Sequence, residues 1–140
     1  MFDLIREIAY FGEPIPVYTA AKHGVLGLMR SIRNSSPKFN VTINVVSPWI
    51  VNTPWLTPPL QATLETHGIP ITDVNNVARG VAHIASSDWN GKSLYVASDK
   101  FIELEGGIDS TRKEWLGPEF DELASRNKLY ADQLRMPSGW

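Results

Sequence analysis

The sequence predicts an α/β fold in which a short parallel sheet is flanked by helices. Helix-type and strand-type patterns alternate through the middle of the chain, which is typical of sheets with crossover connections. The strand candidates are short β-branched runs, as in strands that are buried on both faces. The 140 residues are 43% apolar and 20% charged, which is enough apolar side chain to bury a core.

The composition excludes several classes of protein. The chain has no cysteine, which excludes a disulfide scaffold, a Cys-ligated zinc site and a thiol nucleophile. A net charge of −2 without a basic cluster argues against a nucleic-acid partner. No apolar run approaches the roughly 18 residues of a membrane span, and Asp3, Arg6 and Glu7 interrupt the apolar start, unlike a signal peptide. We therefore expect a soluble cytoplasmic protein.

The first helix is predicted from residue 17 to about residue 35. Residues 1–16 precede it, and their apolar pattern fits a short helix as well as a strand before a Pro-rich break. The apolar stripe of the helix consists of Val17, Ala21, Val25, Leu28, Met29 and Ile32. Gly24 and Gly27 lower helix stability, so we expect another element to pack closely against them.

Five further elements follow. Residues 41–46 form a β-branched strand candidate, and residues 48–72 form a loop-rich excursion with five prolines and a helix near 58–67. Asp73 is the predicted N-cap of a second long helix. Residues 93–97 are another strand candidate, and the tail is expected to be helical from Pro118 to about Arg135 with an apolar stripe that includes Phe120 and Leu123.

Tyr18 and Lys22 are the first candidates for chemistry. Side chains at positions i and i+4 share one face of a helix, so the phenol and the ammonium can point into one site. A nearby cation favours the phenolate, which suits general acid–base catalysis. The bare Tyr-x-x-x-Lys pattern also occurs as a surface pair one turn apart, so the pattern alone leaves both interpretations open.

The surrounding residues resemble the short-chain dehydrogenase/reductase (SDR) family over residues 8–108. The matching segments are Val17–Ser31, Val41–Pro48 with Thr53 beyond it, Asp73–Ser87, Gly91–Val96 and Glu105–Gly107. The resemblance implies a partial Rossmann-like fold, the C-terminal half of the family's sheet. It also implies that Tyr18 is the proton donor or acceptor, and that Lys22 holds the nicotinamide ribose and stabilises the phenolate.

The sequence departs from the family pattern at several points. No glycine-rich strand–loop–helix fingerprint is present, no serine stands near Arg6 and Glu7, and the Asn of the family's proton relay has no counterpart. The glycine expected after Pro48 is Trp49. The chain is therefore identified as an N-terminally truncated, degenerate SDR member without a dinucleotide-binding half. We expect no cofactor, with NAD(P) as the alternative.

Four residues are expected to contact a substrate: Trp49, Thr53, Trp55 and His67. The tryptophans and prolines of the excursion form an apolar wall suited to a hydrophobic small molecule. Trp49 can instead cover core left exposed, and a surface or dimer contact explains Trp55 nearly as well. His67 precedes Gly68, so it also fits a solvent-facing helix end. The three histidines lack acidic residues at ligand spacing, which does not support a metal site.

These observations predict a domain organisation and three functions. We expect a rearranged segment 1–16, an SDR-like half 17–108 and a helical tail 109–140. The sheet would be completed by homodimerisation, because a half-sheet has a free edge and the family's Tyr helix packs across a two-fold axis.

The favoured function is a cofactor-independent, non-redox isomerase, dehydratase or cyclase on a hydrophobic metabolite, and the resemblance to fungal-type reductases suggests secondary metabolism. The alternatives are an NAD(P)-dependent oxidoreductase completed by a partner chain, and a non-catalytic binding or dimerisation module.

Overall fold

The computed structural model describes residues 16–133, and these divide into two compact units between Leu104 and Glu105. Residues 1–15 lie outside the described residues. The prediction of a helix or a strand for that segment is therefore not tested. The boundary expected after residue 108 falls inside a helix of the second unit. None of the described helices is long and apolar enough to cross a membrane.

The first unit alternates helices and strands as predicted. Its elements are α1 (Pro16–Ile32), a 3-10 turn (Ser36–Phe39), β1 (Val45–Pro48), α2 (Pro58–Thr66), α3 (Val74–Ser86), β2 (Ser93–Ala97) and β3 (Lys100–Glu103). The second unit contains α4 (Glu105–Leu116) and α5 (Pro118–Gln133).

The sheet has three strands in the order β1-β2-β3. β1 and β2 are parallel, with Val45 opposite Ser93 and Pro48 opposite Val96, which confirms the predicted parallel pair. β3 is antiparallel to β2, so the sheet is mixed. The reason is local: Ser98 has a φ of 53° in the tight turn after β2, and so short a connection can join only antiparallel strands.

Helices cover both faces of the parallel pair. Alternate residues of β1 point to opposite faces, so Val45 packs with Leu26 and Met29 of α1, whereas Val46 packs with Val77 and Ile84 of α3. Asp73 caps α3 as predicted, because its Oδ1 accepts a 2.7 Å hydrogen bond from the Asn75 backbone N–H. The α/β prediction is therefore confirmed, and the core lies in two layers on either side of β1 and β2.

Two packing expectations are wrong for the described residues. A Cβ added at Gly24 or Gly27 would meet nothing within 4 Å, because the buried face of α1 is formed by Leu26 and Met29. The close approach is at Gly80 of α3 instead, where a Cβ would lie 2.9 Å from Val96 Cγ2.

The expected apolar stripe of the tail is also not buried. Phe120 and Leu123 of α5 are 60% and 58% exposed, although the helix itself forms as predicted. The helix before it, α4, was not predicted, because its first turn contains Gly106 and Gly107 and its apolar periodicity is weak.

Candidate functional site

The direction of α1 places its first turn at the carboxyl end of the parallel strands. Arg33, just after α1, has a carbonyl oxygen that accepts a hydrogen bond from Asn90, and the Asn90 side chain also contacts the backbone of Ile43, just before β1. Because α1 ends where β1 begins and packs along it, the helix runs antiparallel to the strand. Its start therefore lies toward the edge where α/β sheets bind their ligands.

The Tyr18–Lys22 pair occupies that first turn of α1. Pro16 opens the helix, where a missing N–H costs no hydrogen bond, and Ala20 and Ala21 favour the helical conformation. Both Tyr18 and Lys22 are partly buried, and Lys22 Nζ lies 5.5 Å from the centre of the Tyr18 ring. The cation therefore lies over the face of the phenol ring, at the distance of a cation–π contact.

Trp49 follows β1 directly, at the carboxyl edge of the sheet. Its backbone N–H donates a 2.8 Å hydrogen bond to the carbonyl oxygen of Val96, which holds it against the end of β2. The residue is partly buried, and its indole Nε1 is fully enclosed. That nitrogen makes no hydrogen bond to any of residues 16–133.

The Pro-rich excursion begins and ends at the same edge. An isolated bridge joins Val51 to Thr72, with the Thr72 N–H donating to Ile50 at 2.7 Å and the Asn52 N–H donating to Thr72 at 2.9 Å. The Thr72 hydroxyl in turn accepts a 3.1 Å hydrogen bond from the Ser98 N–H just beyond β2. The base of the excursion is therefore firmly tied to the sheet.

The remaining substrate candidates are distributed along this excursion. Thr53 is partly buried close to the base, and its carbonyl oxygen accepts a 2.8 Å hydrogen bond from Leu56. Trp55 is 62% exposed. His67 is exposed at the end of α2, with Nδ1 2.8 Å from the Thr63 carbonyl oxygen. Trp49 and Thr53 thus lie near the sheet edge, whereas Trp55 and His67 face solvent.

Asn90 is a positioning residue that sequence reasoning did not single out. Its Oδ1 accepts hydrogen bonds from the Ile43 N–H at 3.0 Å and the Ser36 hydroxyl at 3.3 Å, and its Nδ2 donates to Arg33 at 2.6 Å. The Asn90-Gly91 dipeptide indicated only a turn. Nothing in the local sequence shows that this side chain also joins α1 to β1.

The described residues do not form a cradle for dinucleotide phosphates. Such a cradle needs glycines at a strand–helix turn so that the backbone can approach the pyrophosphate. Gly91 has a φ of 72°, but the space beside it is filled by Arg33, and Gly24 and Gly27 lie within α1. The residues present therefore do not fit that part of a dinucleotide. Residues 16–133 also contain no group of three His, Asp or Glu side chains that could hold a metal ion.

Comparisons with known proteins match the segment that contains the Tyr18–Lys22 pair. A family model for short chain dehydrogenases matches residues 10–63, which include Tyr18, Lys22 and Trp49. The short-chain dehydrogenase/reductase prx4 of Penicillium roqueforti is 28% identical over 137 residues, covering 84% of this chain and 42% of the relative. The 5'-hydroxyaverantin dehydrogenase stcG of Emericella nidulans is 26% identical, covering 86% of this chain and 41% of the relative. The chain thus spans about two fifths of the length of these relatives.

Solved structures show the same fold. The acetoin dehydrogenase of Enterobacter cloacae matches 68% of this chain and 39% of its own, with 26% identity and a TM-score of 0.54. A 4-hydroxyisoleucine dehydrogenase, solved with NADH and succinate, matches 71% of this chain and 45% of its own, with 18% identity and a TM-score of 0.58. With its Tyr-x-x-x-Lys helix packed on a parallel strand pair, the chain is similar to short-chain dehydrogenases/reductases in sequence and in fold.

Proposed function

We propose that Tyr18 and Lys22 form an acid–base pair that acts on the oxygen of a hydroxyl or carbonyl group of a hydrophobic small molecule. The observation that supports this proposal is the position of Lys22 Nζ, 5.5 Å from the Tyr18 ring centre, in a helix turn at the carboxyl edge of the sheet. A tyrosine and a lysine on the same helix face keep this geometry without help from a flexible loop.

The chemistry follows from the two side chains. As a phenolate, Tyr18 accepts the proton of a substrate hydroxyl, and as a phenol it donates a proton to a carbonyl oxygen. Lys22 brings a positive charge over the Tyr18 ring, and in a partly buried site this charge attracts the phenolate that proton transfer leaves behind more strongly than it would in water. Tyr18 is thus the proposed catalytic residue, and Lys22 makes its charged form available.

The proposed substrate is hydrophobic because of the Pro-rich excursion, which begins at the edge of the sheet toward which the Tyr18–Lys22 pair lies. Trp49 and Thr53 lie near the sheet edge, and Trp55 and His67 extend the same excursion into solvent. Aromatic residues and prolines give an apolar surface with few polar groups, which is typical of small-molecule sites. We propose that Trp49, Thr53, Trp55 and His67 contact the substrate.

Proton transfer by Tyr18 is a step of two different reactions, an oxidoreduction and a cofactor-independent conversion. An NAD(P)-dependent oxidoreductase is favoured by the relatives, which are named as dehydrogenases or reductases. In that case a partner chain would contribute to holding the dinucleotide. A cofactor-independent isomerase, dehydratase or cyclase is the other reaction, because proton transfer between Tyr18 and a substrate needs no hydride carrier. Relatives from Penicillium and Emericella fit a role in fungal secondary metabolism.

The test uses the purified chain and a metabolite extract with and without added NADH or NADPH. Tyr18→Phe should lower substrate conversion by about a hundredfold or more, because it removes the acid–base group but keeps the ring. Tyr130→Phe, the same change in α5, is the matched control and should leave conversion unchanged. Unchanged conversion in the Tyr18→Phe variant contradicts the proposal.

The cofactor arms of the same test separate the two reactions. Conversion that depends on NADH or NADPH supports the oxidoreductase. Conversion without either supports the cofactor-independent reaction. Binding of a metabolite without any conversion identifies the third possibility, a non-catalytic binding module.

We also propose that the chain works as a homodimer. Within the described residues β1 pairs only with β2, which leaves its other edge open for a strand. On α1, Val17 and Leu28 are 85% and 46% exposed, although both are apolar. Light scattering coupled to size exclusion should give twice the mass of one chain, and a uniform monomer would contradict this part of the proposal.

A further inference from the structure

We infer that Asn90 is a site of covalent modification, at which the side-chain amide is lost by deamidation when the connection between α1 and β1 opens. The folded state protects the amide, and the modified residue no longer restores the connection. The inference goes beyond the proposed function and does not depend on the roles of Tyr18 and Lys22.

The dipeptide Asn90-Gly91 supplies the reacting groups. Of the eight asparagines in the chain, Asn90 is the one that glycine follows. Glycine has no Cβ, so its backbone nitrogen approaches the preceding side chain without hindrance. The nitrogen of Gly91 attacks Cγ of Asn90, the bond from Cγ to Nδ2 breaks, and the amide leaves as ammonia with the proton of the Gly91 nitrogen.

The immediate product is a five-membered succinimide ring. Water then opens the ring at either of its two carbonyl groups, which leaves aspartate or isoaspartate at this position. The sum of the two steps converts one amide and one water molecule into one carboxylic acid and one ammonia molecule. The reaction therefore needs no oxidant, reductant or enzyme.

The folded state holds both reacting groups in other bonds. Nδ2 of Asn90 donates a 2.6 Å hydrogen bond to the Arg33 carbonyl oxygen, and Oδ1 accepts one of 3.0 Å from the Ile43 N–H. The Gly91 N–H, whose nitrogen must attack, donates a 2.7 Å hydrogen bond to the Ile43 carbonyl oxygen. These bonds must break before the ring can close, so the reaction proceeds from locally opened molecules.

Burial adds to this protection. Gly91 is buried and Asn90 is partly buried. The aliphatic part of the Arg33 side chain covers Gly91 so closely that an added Cβ would lie 2.6 Å from its Cδ. Removal of the proton from the Gly91 nitrogen by a base in solution therefore also requires that Arg33 move away.

The modified residue cannot remake the same contacts. A carboxylate has no N–H to donate to the Arg33 carbonyl and places a negative charge beside that oxygen. Isoaspartate also adds a methylene group to the main chain, which displaces the Gly91 N–H from Ile43. Each modification therefore leaves α1, the helix that carries Tyr18 and Lys22, less firmly joined to β1.

The experiment compares the full chain in mildly alkaline buffer with the same chain in guanidinium chloride. Trypsin, which cleaves after Arg79 and Lys92, releases peptide 80–92, and mass spectrometry measures the conversion of its amide to an acid. An isoaspartyl methyltransferase with a labelled methyl donor counts the isoaspartate. Deamidation of Asn90 should be about a hundredfold or more slower in the folded chain, because few molecules are open. Equal rates, or no conversion in guanidinium chloride, overturn the inference.

Ser36→Ala tests whether the local hydrogen bonds provide the protection. The Ser36 hydroxyl donates to Asn90 Oδ1 at 3.3 Å, so its loss should speed deamidation of the folded chain by about threefold to tenfold. Ser31→Ala is the matched control, because that hydroxyl bonds to the Leu28 carbonyl within α1, and the rate should not change. Equal rates in the two variants overturn the protection by these bonds. If Ser36→Ala does not fold, the comparison of the folded and unfolded wild-type chain decides alone.

Two further measurements test the chemistry and its consequence. Gly91→Ala in guanidinium chloride should deamidate more slowly than the wild-type chain, because its Cβ hinders the attack. An equal rate would overturn the succinimide route. Ion exchange separates the deamidated chain by its added negative charge, and its urea midpoint should be lower than that of the unmodified chain. An unchanged midpoint would overturn the claim that modification weakens the connection.

Discussion

The side-chain amide of Asn90 donates a 2.6 Å hydrogen bond to the carbonyl oxygen of Arg33, which lies 57 residues earlier in the chain. The same side chain accepts a hydrogen bond from the Ile43 N–H. Asn90 therefore joins the end of α1 to the start of β1 from a position just before β2. Because α1 is a continuous helix, this joint also sets where its first turn lies, and with it Tyr18.

Asn90→Ala is expected to lower the free energy of unfolding by about 2–4 kcal/mol. The change removes the hydrogen bonds that Asn90 makes with the Arg33 carbonyl, the Ile43 N–H and the Ser36 hydroxyl in a partly buried position. A lost partner costs about 1–3 kcal/mol for each group, part of which water and the Ser36–Arg33 hydrogen bond recover. Urea unfolding monitored by circular dichroism measures the change. The exposed Asn34→Ala is the control and should change stability by less than about 0.5 kcal/mol. An equal loss of stability in the two variants would contradict the role of Asn90 in joining α1 to β1.

Gly91→Ala tests the packing beside that joint. Gly91 has a φ of 72°, and an added Cβ would lie 2.6 Å from Cδ of Arg33. Gly68 is the matched control, because its φ is 65° but a Cβ there would meet nothing within 4 Å. Gly68→Ala should therefore cost only the backbone strain of about 1–2 kcal/mol.

Gly91→Ala should cost about 1–3 kcal/mol more than Gly68→Ala, because the neighbouring side chain must also move. Urea midpoints of the two variants, measured side by side, give this difference. Equal midpoints would show that the Arg33 side chain moves away freely and does not pack firmly on the turn.

The elements that were predicted correctly are those whose signals are local. α3 was predicted because Asp73 is a cap and the apolar residues after it recur at helical spacing, and the structure confirms both. β3 was not predicted as an antiparallel strand, because its direction depends on the left-handed Ser98 in the preceding turn. A backbone conformation at a single serine leaves no trace in a hydrophobic pattern.

The candidate site also has features that follow from local sequence and features that depend on distant contacts. The proximity of Tyr18 and Lys22 follows from helix geometry alone, and the structure confirms it. The exposure of Trp55 and the enclosed nitrogen of Trp49 depend on how a long loop folds back on the sheet, and no short-range pattern contains that information. The role of Asn90 is likewise a contact between distant parts of the chain.

Asp73→Ala is expected to destabilise the first unit by about 1 kcal/mol, the usual value of a helix N-cap. The lost interaction is the 2.7 Å hydrogen bond from the Asn75 N–H to Asp73 Oδ1. Asp73→Ser is the matched control, because serine also caps helices and should restore most of the stability. Thermal unfolding measures both variants, and a serine variant as unstable as the alanine variant would show that capping is not the cause.

Lys22→Met is expected to lower substrate conversion by about ten- to a hundredfold, less than Tyr18→Phe does. The change keeps an apolar chain of similar length and removes the cation that lies 5.5 Å from the Tyr18 ring. Lys38→Met, at an exposed lysine of the 3-10 turn, is the matched control and should leave conversion unchanged. Conversion assays with equal amounts of folded protein make the comparison.

The double variant Tyr18→Phe with Lys22→Met decides whether the two residues act together. If Lys22 acts by stabilising the phenolate, it has nothing to stabilise once the hydroxyl is gone, so the double variant should be no slower than Tyr18→Phe alone. Additive losses would mean that Lys22 contacts the substrate or a cofactor independently of Tyr18. Because such a contact would survive in Tyr18→Phe, that variant should then still bind the substrate more tightly than the double variant does.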